Sequence, residues 1–112
     1  MDMKKMMQKA KKMQAKMKEV QDQLDDLHVD AEAGGGMVKV TANGNRKIVS
    51  INLDNDVIDP DDKEMLEDLV VAGVNKALEK AEEAGKQKMQ DVYKDMMPGG
   101  GIPGMDMSKL GL

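Results

Sequence analysis

Apolar side chains recur at Met3, Met6, Ala10, Met13, Met17, Val20, Leu24 and Leu27. The steps alternate between three and four residues, the heptad spacing of an amphipathic helix. Most positions between them hold Lys, Gln, Ala or Glu, which favour helix, and no Gly or Pro occurs before Gly34. The spacing predicts one helix over residues 3–26, about 35 Å long.

The period then changes from helical to two. In LHVDAEAGGG, Leu27, Val29, Ala31 and Ala33 alternate with His28, Asp30 and Glu32. In GMVKVTANGN, Val38, Val40 and Ala42 alternate with Lys39 and Thr41, and in RKIVSINLD the residues Val49, Ile51 and Leu53 share a face. Gly34-Gly35-Gly36 predicts the first turn, and Asn43-Gly44 predicts a type I′ hairpin turn. Three short antiparallel strands follow, packed on one face and polar on the other.

A second helical pattern runs through Met65, Leu66, Leu69, Val70, Val74, Ala77, Leu78, Ala81, Met89, Val92 and Met96, and Pro98 stops it. Two caps are open to it: Asp59 followed by Pro60, or Asp61 with Glu64 as a capping box. Unbroken, it is roughly 55 Å long, with Gly73 and Gly85 as weak points. Residues 98–112 are rich in Gly, Pro and Met and are expected to be a flexible tail. The chain therefore divides into one domain, 1–97, and that tail.

The fold class is α+β: an α-β-β-β-α protomer with a three-stranded antiparallel sheet and two long projecting helices. Strands of six to eight residues span only about 20–27 Å, so the helices outreach the sheet and their apolar stripes need a partner there. Composition points the same way. Leu, Ile and Val total 22 of 112 residues, Phe is absent, and thirteen Met are expected to fill part of the gap in the core. Met packs without fixing one geometry, and a homodimer supplies the missing burial.

Charge changes the picture more than composition does. The net charge is −4, yet residues 1–18 carry seven Lys against one Asp. Residues 19–33 carry six acids and no base, and residues 54–72 eight acids against Lys63. The N-terminal end is thus locally cationic on an acidic molecule. Along the first helix, Lys sits at the positive end of the dipole and Asp at the negative end, against the usual preference.

Candidate chemistry narrows quickly. His28 is the only histidine and there is no Cys, so neither a transition-metal site nor a disulfide is expected. DNDVIDPDDKEM has two acids at calcium-loop spacing, but Asp59 stands where Gly is needed and Met65 where Glu is needed. GGGMVK joins strand to strand and is not a phosphate loop. The hydroxyls Thr41, Ser50, Tyr93 and Ser108 form no nucleophile set with a His and an acid, and no enzyme activity or cofactor is expected. No apolar run is long enough to span a membrane, and the N-terminus lacks a secretory or transit pattern.

Binding remains. With one Tyr as the sole aromatic and Arg46 as the sole Arg, base stacking and bidentate guanine reading have little to work with. Lysine-to-phosphate contact on duplex DNA fits the composition. Lysines that merely solubilise a coiled-coil face are the bland alternative.

The Lys/Met/Gln-rich KKMMQKAKKMQAKM, then GGGMVKVTANGNRKIVSINLD, then DKEMLEDLVVAGVNKALEKAEE resemble, in that order, the YbaB/EbfC family of nucleoid-associated proteins. Gly73 stands where the family more usually has Ala. The resemblance implies a homodimeric DNA-binding protein of the bacterial cytoplasm and nucleoid, its projecting helices forming paired arms like tweezers. On this reading Lys4, Lys5, Lys9, Lys11, Lys12, Lys16 and Lys18 neutralise phosphates of double-stranded DNA, helped by Lys86, Lys88 and Lys94, and the heptad Met residues hold the arm by packing. The competing reading is a protein-interaction module with a methionine-rich apolar surface.

Overall fold

The computed structural model describes residues 2–96, so the Gly/Pro/Met-rich tail lies outside the described residues. The order is α1 (Met3–Asp26), β1 (His28–Ala33), β2 (Val38–Asn43), β3 (Ile48–Leu53), a 3-10 turn (Asn55–Val57) and α2 (Lys63–Met96). The strands form one antiparallel sheet in the order β1-β2-β3. The α-β-β-β-α expectation holds, and both helix lengths follow the periodicity.

α1 starts where Asp2 accepts a hydrogen bond from the Lys4 amide at 3.0 Å. α2 is capped by neither expected residue. Asp59 and Asp61 sit in a separate turn, the Asp61 amide donating to Asp59 Oδ1 at 2.9 Å. The α2 cap is Asp62, whose Oδ1 accepts from the Met65 amide at 3.2 Å, the N3 donor that an N-cap side chain satisfies. Sequence spacing left several Asp in a row, and only the turn selects one.

The β1–β2 turn runs through Gly34, Gly35 and Gly36 at φ 62, 65 and 92°, a backbone region closed to most side chains. The second hairpin differs from the expected type I′. Neither Asn43 nor Gly44 has positive φ; the left-handed residue is Arg46 at φ 62°. The Arg46 amide donates to the Asn43 carbonyl at 3.0 Å and the Asn43 amide to the Lys47 carbonyl at 2.9 Å. This is a three-residue loop with a left-handed third position. Asn43 occupies the first corner, where its Oδ1 accepts from the Asn45 and Lys47 amides.

A bulge separates the pairs Thr41–Ser50 and Ala42–Ile48, making Val49 the extra residue. Ile48, not Val49, therefore joins Ile51 and Leu53 opposite the buried Ala42, Val40 and Val38. One inserted residue shifts the face, and alternation alone cannot detect it.

The core is built of small residues. Ala31, Ala33, Val38, Val40, Ala42, Val57, Ala77 and Ala81 are buried, with α2 lying over β1 and β2. Among the described residues no Met is part of the buried core. Met3, Met6, Met7, Met13 and Met17 are exposed, and Met37, Met65 and Met89 only line the core. Alanines and glycines instead bring helix and sheet close together. A Cβ on Gly73 would stand 2.9 Å from Val40 Cγ2, and one on Gly85 would stand 2.9 Å from the Gly44 carbonyl oxygen. These glycines are contact points, not weak points, and α2 runs through both without a break.

The two sheet edges differ. On β1, Lys80 Nζ donates to the Asp30 carbonyl at 2.8 Å and Lys76 Nζ to the Glu32 carbonyl at 3.4 Å, so α2 covers that edge with two ammonium groups. β3 carries no charged residue and is exposed throughout, with Ile48, Val49, Ile51 and Leu53 between 37% and 48% accessible.

Candidate nucleic-acid interface

α1 joins the body only at its C-terminal end. Val20 and Leu24 are buried against Val92, with Leu27 and Met89 alongside. The Gly44 amide donates to the Leu24 carbonyl at 2.8 Å. Asn45 Nδ2 donates to Asp25 Oδ1 at 2.6 Å and to the Gln21 carbonyl at 3.3 Å. Every residue from Asp2 to Ala15 is exposed. That half of the helix is a projecting arm, and the molecule extends 70 × 31 × 16 Å.

The arm holds the predicted lysines in two rows. Lys5, Lys9, Lys12 and Lys16 follow one another at steps of four, three and four, and share one side of α1. Lys4, Lys11 and Lys18 are seven apart and form a second row. Lys16 Nζ lies 3.8 Å from Glu19 Oε2, both exposed, and among the described residues this is the one ion pair found on α1. Long flexible ammonium groups on a projecting helix, away from the body's acids, suit contact with a line of phosphates.

α2 contributes less. Lys86 and Lys88, two residues apart, lie on opposite sides of the helix. Lys86 faces Glu82 at 3.8 Å. Lys86, Lys88 and Lys94 stand among Glu79, Glu82, Glu83, Asp91 and Asp95, so this stretch presents no cationic row. A groove of about 450 Å³ beside Lys76 and Lys80 is lined also by Asp30, Glu32 and Glu79 and lies on the β1 edge, remote from the arm.

The expectation that heptad methionines pack along the arm is not met within the protomer. Of the stripe, only Val20 and Leu24 are buried, while Met3 to Met17 are 46–76% exposed. Sequence reading also passed over Asn45 and Gly44 as parts of this site. Gly44 belongs to the Asn43-Gly44 turn signal and Asn45 directly follows it, but their use as a socket for α1 depends on tertiary position.

The model of the YbaB/EbfC DNA-binding family matches residues 1–96. The chain is 45% identical over 105 residues to a nucleoid-associated protein of Clostridium novyi, covering 94% of this chain and 89% of that one. It is 44% identical over 100 residues to a nucleoid-associated protein of Syntrophobacter fumaroxidans, covering 88% and 91%. The crystal structure of an uncharacterized protein from Helicobacter pylori has the same fold, with a TM-score of 0.69 at 22% identity over 83% of this chain and 98% of that one. Among the described residues no helix is long and apolar enough to cross a membrane.

Proposed function

Because the chain belongs to the YbaB/EbfC DNA-binding family, we propose that it binds double-stranded DNA in the nucleoid as a homodimer, through lysine–phosphate contacts of low sequence specificity. The observation that carries this reading is the exposed arm of α1, with seven lysines against a single acid over residues 2–18. Phosphate contacts position a protein on a duplex without reading bases. The chain also has only one Arg and one aromatic residue with which to read bases. Through such binding the protein would affect nucleoid organisation and gene expression. Lys86, Lys88 and Lys94 are auxiliary on this reading.

The homodimer is supported by the open face of β3. Ile48, Ile51 and Leu53 point to the same side as the core yet lie beyond the cover of α2, which packs mainly on β1 and β2. On α2, the flank away from Lys76 and Lys80 adds exposed Val71 and half-buried Val74 and Leu78. A second copy brings the same apolar surface to this one, as a two-fold interface requires.

Replacing Lys5, Lys9, Lys12 and Lys16 with Gln tests the arm, since Gln keeps helix propensity. Affinity for unrelated duplexes should fall about equally in gel shifts. The log–log salt slope should shrink by roughly 0.9 for each phosphate no longer neutralised, summed over both arms. Glu67→Gln/Asp68→Asn should not weaken binding. An unchanged slope after all four lysine replacements would remove the arm from the mechanism.

The exposed methionine stripe favours a second reading, an adaptable surface for a partner helix. Salt separates the two, because apolar docking persists where lysine–phosphate binding is screened away.

A further inference from the structure

We infer that the tip of the β2–β3 hairpin, through Asn45, is the positioning element that aims the lysine arm. The arm has no support of its own from Asp2 to Ala15, so its direction is set wholly by the last turns of α1. Three attachments act there. The first is the apolar contact of Val20 and Leu24 with Val92, which allows sliding and rotation because it is non-directional.

The other two are directional. The Gly44 amide bonds the Leu24 carbonyl at 2.8 Å, and a Cβ at Gly44 would stand 2.9 Å from that same oxygen, so only glycine permits the approach. Asn45 spans one turn of α1, donating to the Gln21 carbonyl at 3.3 Å and to Asp25 Oδ1 at 2.6 Å. Both bonds converge on the single Nδ2 of Asn45, and together with the Gly44–Leu24 bond they pin α1 to the hairpin tip at two neighbouring points, which resists roll and tilt. From the other side, α2 approaches the same loop so closely that a Cβ on Gly85 would lie 2.9 Å from the Gly44 carbonyl oxygen. The hairpin tip is thus wedged between the two helices and cannot follow α1 if it swings.

This role accounts for a feature of the sequence that folding alone does not. Asp25 stands in the last turn of α1, where the helix dipole disfavours an acid and no base accompanies it. Its carboxylate is the acceptor that fixes the Asn45 amide. Asp22 and Asp26 also stand against the dipole, and of these three acids Asp25 is the one hydrogen-bonded to the hairpin tip.

Asn45 touches no lysine of the arm, so its effect on DNA is indirect, and that half of the inference rests on the DNA-binding reading above. The chain has no Cys, so spin labels at Gln14→Cys and Asp68→Cys report the arm–body distance. Dilution with excess unlabelled protein leaves one doubly labelled protomer per assembly. Asn45→Ala should broaden the distance distribution. Asn45→Asp should broaden it more, since it sets a second carboxylate against Asp25. Asn45→Asp/Asp25→Asn, which reverses the donor and acceptor, should narrow it again.

Thermal melting of the body should hardly move in these variants. Duplex affinity should fall several-fold with the salt slope unchanged, because every lysine is kept, and the double variant should recover it. Equally narrow distributions in all the variants would overturn the inference. So would broadening with unaltered affinity in a protein that does bind DNA. If the parent binds no duplex at low salt, the DNA-binding reading fails, while the distances still decide whether Asn45 holds the arm.

Discussion

At Gly85 a single hydrogen atom decides how close two segments come. Helix propensity alone says that Gly85→Ala stabilises α2 by about 0.5–1 kcal/mol. The structure reverses the sign. The added Cβ would meet the Gly44 carbonyl oxygen at 2.9 Å, a backbone atom that cannot rotate away. Overpacking of this kind costs about 1–3 kcal/mol, so Gly85→Ala should lower the denaturation midpoint in urea with little change in slope. Gly73 follows the same logic against a softer neighbour. There the obstacle is Val40 Cγ2 at 2.9 Å, a side-chain methyl and not backbone. Neither contact can be foreseen from a residue that merely reads as a poor helix former.

Helices and strands were more legible than their joints. The 3-4 stepping of apolar positions marked α1 as Met3–Asp26, and the long pattern ending before Pro98 marked α2 to Met96. Period two marked all three strands. What escaped was set by single backbone choices: the Asp62 cap, the left-handed Arg46, and the bulge that places Ile48 in line with Ile51. The lysine arm was legible because charge segregates along the chain. Its socket at Gly44 and Asn45 was not, because the contacts join residues about twenty apart in sequence. The exposed methionines show the limit of periodicity, which marks an apolar stripe without saying what covers it.

Unequal support along α1 has a measurable result. An isolated helix of about a dozen residues is marginal in water, and the arm from Met3 to Ala15 has no packing partner in the protomer. Amide hydrogen exchange of the free protein should therefore be fast over residues 6–15 and slow over 20–26 and in the middle of α2. Saturating duplex DNA should slow the first segment selectively. Uniform protection along α1 before DNA is added would mean that the methionine stripe is already covered.

For the whole molecule, the proposed homodimer makes a mass prediction. Sedimentation at micromolar concentration should give about twice 12.3 kDa. Ile51→Lys places a charge in the middle of the open apolar face and should return the mass to that of one chain. Duplex affinity should drop with it, because two arms on one body raise each other's effective concentration.

The lysines on the β1 edge would set how large such an assembly can grow. In the language of polymer chemistry the proposed homodimer would make the protomer monofunctional, with β3 on its reactive side and β1 end-capped by Lys76 and Lys80. Monofunctional units react once and stop at two. Lys76→Ala/Lys80→Ala would strip the cap and give every protomer a second open edge, making it bifunctional. Step growth that alternates the apolar β3 face with the uncapped β1 edge then has no natural end. Light scattering of the double variant should rise with concentration, whereas the parent should stay at one size.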